Sequence, residues 1–503
     1  AEGSAAVAAP AIASASATKQ KRKKEQPPPA SAPASASAEE HHVSHALLLH
    51  ALAGGVLGSA SPSARRLVAL TLAEEGKPDG ASVFNGPRKA SRIGAAFANA
   101  ELIHASFLFD SYRMLTHPGP VLVPAALANA ELEGRSGREL IVALALGYEF
   151  VSRLADDFIP STAARGFRPS PIYCTLGAAL VSGKLMGLSE DALVTTIALA
   201  ANFASGLNEG PRAGGNDLLM HEPQAARNGV FAAMMARAGN IKGTEQVIEG
   251  PAGFYNAFTG SSAGRLSYSF KGQDAVDMAS ITQGLGQQFK MLSLMYRVYP
   301  CPGYNQPVIE LVGEVTRRHA LAPDDIEAIE VAMNRIETLY PSPAFPRFAD
   351  WQQPRAGETT HFFAAYAAVH GGFPVAGTSG RFPFGEHLLH DAQVLALMAR
   401  VRLVPQDERA MFSPAVTLRM KDGTVHEGSY PYERMVWSFD QLAGRLSACV
   451  AGFPTGQAGL DGIARIARHA DELTTVQALF EEMKACTACG DAELAVSTPV
   501  HQA

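Results

Sequence analysis

The sequence predicts a mostly α protein: a large helical domain with a smaller α+β domain inserted into it. Apolar residues recur at three- and four-residue spacing from about 41 to 287. The pattern then switches to alternation near 326–333 and 415–427. Helical periodicity returns over 438–480. The simplest arrangement builds the helical domain from 41–287 and 432–490 and places the α+β domain at 288–431. A chain of 503 residues is long enough for two such cores.

Residues 1–40 are almost entirely Ala, Ser, Pro, Glu and Lys. Such a composition cannot bury a core and predicts a disordered tail. The basic run Lys19-Gln-Lys-Arg-Lys-Lys24 lies within it and suits a solvated charge cluster, a polyanion contact or a targeting address. No apolar region follows it, so it does not read as a secretory signal. Helices are expected at 45–57, 63–75, 89–109, 123–133, 137–156, 174–185, 190–205, 223–239 and 243–249. Ser136 and Ser189 are placed to cap, and Gly187 and Gly239 to stop, four of their ends. Strands are expected at 326–333 and 401–404. A hairpin at 415–420 and 424–427 turns at Asp422-Gly423. Helices at 307–319, 360–371 and 391–399 separate them, and 491–503 forms a C-terminal tail.

Hydrophobic residues make up 47% of the chain and charged residues 18%, the balance of a large-cored globular protein. A net charge of −6 gives no reason to expect nucleic acid, and no apolar run reaches membrane-spanning length. Five scattered cysteines (174, 301, 449, 486, 489) read as reduced thiols of a cytoplasmic protein. Cys486-Thr-Ala-Cys489 has no second pair, and His41, His42, His45 and His50 make no one-face ligand set, so no metal or iron–sulphur cluster is expected.

The chemistry concentrates in Phe109-Asp-Ser-Tyr-Arg-Met-Leu-Thr-His-Pro-Gly119, between two Ala-rich helical patterns. Asp110, Ser111, Arg113 and His117 fall within nine residues, and Pro118 pushes His117 towards extended geometry. Polar groups on a loop between packed helices are a common way to build a site. The same residues also suit a capped turn with a solvated Arg and a hydrogen-bonded His.

Several segments, in order, resemble the MmgE/PrpD family. They are Ala96-Phe-Ala-Asn-Ala-Glu-Leu-Ile-His104, Leu115-Thr-His-Pro-Gly119 and Ser136-Gly-Arg-Glu-Leu140. Gly147-Tyr-Glu149, Thr175-Leu-Gly-Ala-Ala179, Ala225-Ala-Arg-Asn-Gly229, Gly250-Pro-Ala-Gly-Phe254 and Tyr299-Pro-Cys301 continue the series. The likeness runs from about 41 to 480. It implies that the α+β domain is a lid, that the protein is a homodimer, and that catalysis next to a substrate carboxylate uses neither metal nor organic cofactor. The chain also departs from the family pattern. An Asp-rich segment before the THPG loop becomes Phe107-Leu-Phe-Asp110-Ser111; a family His becomes Arg168; one family Lys becomes Leu218, with His221 retained, and another becomes Arg297. Tyr366 matches a family site tyrosine.

The resemblance therefore implies His117, Tyr366, Asp110 and His221 as catalytic candidates. Ser111, Arg113, Arg168 and Arg297 are the substrate-binding candidates. An imidazole can act as base or acid near neutral pH, whereas an arginine is a permanent cation with a planar fork of donors. The expected function is a cofactor-independent lyase or isomerase, dehydratase- or decarboxylase-like, acting on a specialised small-molecule carboxylate. The alternative is a catalytically silent homologue that binds a carboxylate or serves as a scaffold. Turnover that depends on His117 separates the two.

Overall fold

The computed structural model describes residues 38–340, 352–377 and 385–487. The tail at 1–37 with its basic run, the tail at 491–503, Cys489, and the side chains of His41 and His42 lie outside the described residues. The fold is mostly α. Helix α1 (Ala38–Gly58) carries a largely apolar run over Ala46–Leu57, and its Leu48, Leu49 and Leu52 have no exposed surface, as expected of a helix with neighbours on several sides. Helix α2 (Pro62–Glu75) packs on α3 (Arg92–Ala105), while α3, α4 (Gly119–Leu132) and α5 (Gly137–Ala155) pack against α1. The chain continues through the short α6 (Ile159–Ala164), α7 (Pro169–Leu185), α8 (Glu190–Phe203), the short α9 (Glu209–Ala213), α10 (His221–Ala238) and α11 (Phe254–Thr259).

The expected caps are present. Ser136 and Glu139 form a reciprocal capping box at α5, and the Ser189 side chain accepts from the Ala192 amide at α8. Gly239 stops α10 and Gly187 follows α7, each in the left-handed region with φ of 81° and 72°. Several expected helices differ: α1 and α7 begin earlier than expected, at Ala38 and Pro169, and three others change for identifiable reasons. The 89–109 helix is only α3, because Lys89–Ala90 (β2) pairs with Gly76–Ser82 (β1), and the chain turns out after Ala105 through Phe107 at φ 58°. The 123–133 helix starts earlier, at Gly119, where a side chain described below caps it. No helix forms at 243–249; the segment makes turns, with the Gly243 amide donating to the Thr195 hydroxyl.

Two further strands, β3 (Asp110–Ser111) and β4 (Met295–Tyr296), pair antiparallel, with Asp110 opposite Tyr296. The main sheet has the order β6 (Val401–Gln406), β5 (Ile326–Asn334), β7 (Ala415–Met420), β8 (Val425–Ser429). In β5 the alternation read from the sequence buries Ile329, Val331 and Met333 on one face. β5 runs parallel to β6 and antiparallel to β7, and β7–β8 is the hairpin expected at Asp422-Gly423. Helices α12 (Gln306–Arg318), α13 (Arg335–Leu339), α14 (Thr360–His370) and α15 (Ala392–Met398) accompany this sheet. The last helices, α16 (Phe439–Leu446), α17 (Gly456–Arg468) and α18 (Gln477–Thr487), return to pack on α1. No single helix among the described residues is long and apolar enough to cross a membrane.

Helices α3, α4, α7 and α10 pack on one another and carry or flank the polar residues of interest. The α10–α7 contact is close because Gly229 has no side chain. A Cβ there would lie 2.4 Å from Ala178 Cβ and 2.7 Å from the Ala179 amide nitrogen. Gly229→Leu should therefore lower stability by more than the ~1–3 kcal/mol typical of core overpacking, since backbone cannot yield. Gly444→Ala, in α16 with nothing near its Cβ position, should instead raise stability by ~0.5–1 kcal/mol. Urea unfolding of both variants checks the pair of opposite signs.

Candidate active site

The loop from Ser106 to Pro118 is folded by its own polar groups. The Asp110 carboxylate accepts from the Gly119 amide at 2.8 Å, satisfying a free donor at the start of α4. A Cβ on residue 119 would fall 2.8–3.0 Å from that carboxylate, so the cap requires glycine. The β3–β4 pair ties the loop to the chain 185 residues later and brings Arg297 alongside it. Tyr112 and Thr116 bridge to close the remaining turn, with Arg113 at φ 50°.

His117 is held at three points. Its amide donates to Ser170 Oγ at 3.1 Å; its Nδ1 lies 2.9 Å from Ser111 Oγ and 3.1 Å from the Asp110 carbonyl oxygen. A carbonyl only accepts, so this contact places the proton on Nδ1 and leaves the Nε2 lone pair free. Burial, then Arg297 and Arg168, hold the imidazole well below its usual value of 6.5, so it is neutral at neutral pH. Burial also pushes Asp110 up to about 6, against the opposing pull of Tyr148 and the Gly119 amide.

Two guanidiniums lie close to this imidazole and are partnered differently. Arg168, at the start of α7, pairs with Glu222 in the first turn of α10. The other Glu222 oxygen lies 3.1 Å from His104 Nε2. Burial opposes ionisation of Glu222, but Arg168 and His104 outweigh it and keep the carboxyl well below the usual range. Arg297 lies over the Phe109 ring at 4.4 Å and donates to the carbonyls of Cys301 at 2.8 Å and Phe109 at 3.4 Å. Its Nη2 has no hydrogen-bond partner, and no carboxylate pairs with it, among the described residues. Burial lowers its pKa to about 10, which leaves it a cation at neutral pH. Phe109 joins the cluster: its ring centroid is 4.9 Å from His104 and 5.2 Å from His117. Glu222 and His104 have no exposed surface, whereas His117 and Arg168 keep 7% and Arg297 3%, so only the latter three can meet a small molecule.

The structure brings together His117, Ser111, Asp110, Arg168 and Arg297, with His221 beside Arg168 and Glu222 and its Nδ1 unpartnered. It does not bring in Arg113, which turns away to Asp156 at 2.6 Å and Asp157 at 3.6 Å because its left-handed backbone points it out of the loop. Tyr366 packs on His370, Phe362 and Phe373, and no described contact links it to His117. Tyr340, which the sequence reading did not single out, reaches Asn208 and lies in the field of Arg168 and Glu222. Glu222 and Phe109 were also missed as site residues. The one available signal for Glu222 was its position beside His221. Among the described residues, no group of three or more His, Cys, Asp and Glu is arranged to hold a metal ion.

Comparison with known proteins gives one consistent result. The MmgE/PrpD N-terminal domain matches residues 30–266. The cis-aconitate decarboxylase-like protein oryM of Aspergillus oryzae is 28% identical over 284 residues, covering 54% of this chain and 56% of that protein. A cis-aconitate decarboxylase of Aspergillus terreus is 26% identical over 282 residues, 54% of this chain and 55% of that one. The Homo sapiens cis-aconitate decarboxylase is 26% identical over 351 residues, 66% of each chain. The match thus spans about half the length of the fungal relatives.

The site geometry makes a spectroscopic prediction. In a protein with labelled histidine, the ring nitrogen shifts of His117 should report the neutral Nδ1–H tautomer at its usual pKa of 6.5 and well into the acid range. Half-protonation at or above 6.5 would contradict the burial account.

Proposed function

The chain is a divergent member of the MmgE/PrpD family, and on that premise we propose that it is a cofactor-independent lyase or isomerase whose first step is proton abstraction from a carbon next to a carboxylate. One observation carries the proposal: a neutral imidazole with its Nε2 lone pair free and a buried guanidinium that makes no ion pair among the described residues both lie against the Phe109 ring. A buried cation without a counter-charge is costly, and a bound carboxylate removes that cost. Arg297 Nη2 would donate to the substrate carboxylate. The C–H bond would break towards His117 Nε2, and its electron pair would spread into the carboxylate, where Arg297 stabilises the growing charge.

From that intermediate, loss of a group on the neighbouring carbon gives a lyase, and return of the proton elsewhere gives an isomerase. The decarboxylase names of the relatives support chemistry at a carbon bearing a carboxylate. A neutral His117 favours abstraction as the opening step over direct loss of CO2, which asks for a proton donor. Ser111 and the Asp110 carbonyl fix the ring, and the Asp110 carboxylate fixes the loop; these are positioning roles. Arg168 already pairs through Nη1 with Glu222, so its charge is partly neutralised and it contributes chiefly field.

Incubation with a panel of hydroxy and unsaturated carboxylic acids in D2O, followed by NMR, tests this. Deuterium should enter next to the carboxylate, or elimination should occur, and His117→Gln should slow either by about 10²–10⁴-fold without changing the circular dichroism spectrum. Because burial lowers the His117 pKa, the base form persists on acidification, so the acid limb of the rate profile should lie well below 6.5. Carboxylate binding with no exchange or turnover across the panel would favour the silent-homologue reading.

A further inference from the structure

Resting on the carboxylate-site reading above, we infer that the site takes a substrate with a single carboxylate and an apolar remainder, and that Glu222 sets this selectivity by occupying Arg168. Of the two guanidiniums near His117, Arg168 already donates to Glu222. Glu222 is fully buried and is held from a second side by His104, whose ring stacks on Phe109 with planes 7° apart. It has no route to swing aside into water. A second substrate carboxylate brought to Arg168 would place two carboxylates on one buried guanidinium, and like charges in such surroundings repel strongly. The protein already shows that penalty: burial and the nearby Glu222 push Glu101 up to about 8, so it is largely uncharged at neutral pH. Asp110, ionised at neutral pH and committed to α4, adds a further repulsion.

Arg297 is left as the cation whose buried Nη2 donates to nothing among the described residues, a donor that one carboxylate would satisfy. The adjoining surface is aromatic. Phe107 stacks on Phe109 with centroids 5.7 Å apart, and Phe109 lies against both His117 and Arg297. Such a wall suits an alkyl or aryl remainder and offers a second charged group nothing.

Isothermal titration of the full chain with crotonate and fumarate tests the inference, because the two differ by a methyl exchanged for a carboxylate on the same skeleton; cis-aconitate serves as the tricarboxylate. The wild type should bind crotonate at least about tenfold more tightly than fumarate or cis-aconitate, and Arg297→Gln should lose most crotonate affinity. Glu222→Gln, by freeing Arg168, should tighten fumarate by about tenfold and leave crotonate within about twofold. Circular dichroism controls for folding. If Glu222→Gln does not fold, the double variant Arg168→Gln/Glu222→Gln removes both charges together and should keep the wild-type ratio of crotonate to fumarate affinity, with no selective gain for fumarate. Tighter wild-type binding of fumarate or cis-aconitate than of crotonate, all abolished by Arg297→Gln, would overturn the single-carboxylate inference and leave the carboxylate site standing. Crotonate binding that is absent, or equal in wild type and Arg297→Gln, would sink the carboxylate site itself and this inference with it.

Discussion

A guanidinium taken out of water must find acceptors, and this constraint organises the centre of the protein. Three buried arginines meet it in three ways. Arg153 pairs with Glu149 one turn earlier on α5 and donates to the carbonyls of Ile281, Gln283 and Gln288, pinning an irregular segment against the helix. Arg168 spends its charge on Glu222, which fastens the start of α7 to the start of α10. Arg297 finds two carbonyls and an aromatic face but no carboxylate. The first two solutions are complete and structural. The third leaves one donor, Nη2, without a partner among the described residues, and an unsatisfied buried polar group calls for an explanation, which the proposed carboxylate supplies.

The loop beside these arginines is equally constrained. One residue, Asp110, opens β3 and, through its carboxylate, caps the start of α4, in a contact that leaves no room for a side chain at 119. Left-handed backbone at Phe107 and Arg113 costs of order 1–3 kcal/mol each and persists only where the surroundings over-determine it. Here the surroundings are the Phe107–Phe109–His104 stack on one side and the Arg113–Asp156 pair on the other. The result is an imidazole whose tautomer and direction are set before any ligand arrives, which is the preorganisation that proton transfer requires.

The substitutions relative to the family pattern look different once these pairings are known. Read as residue types, Arg168 and Arg297 are equivalent cations that replace groups able to move protons. In the fold they diverge, because Glu222 stands against one and no described carboxylate stands against the other. On the proposed reading the proton chemistry falls to His117, with His221 near but facing Arg168 and Glu222.

The sequence by itself determined the mostly α class, the hairpin at Asp422-Gly423 and the caps at Ser136 and Ser189. These follow from periodicity, turn chemistry and local spacing, which act over a few residues and are written in the order of the chain. The start of α4 at Gly119, the absence of a helix at 243–249 and the outward turn of Arg113 were not legible. Each depends on a partner from elsewhere or on a left-handed backbone that the residue type does not announce. Only the tertiary structure decided which arginine is ion-paired and which is hydrogen-bonded to carbonyls alone. Arg168 meets Glu222 across 54 residues and Arg297 meets Phe109 across 188, and such meetings are set by how helices pack, not by what lies next to them in sequence.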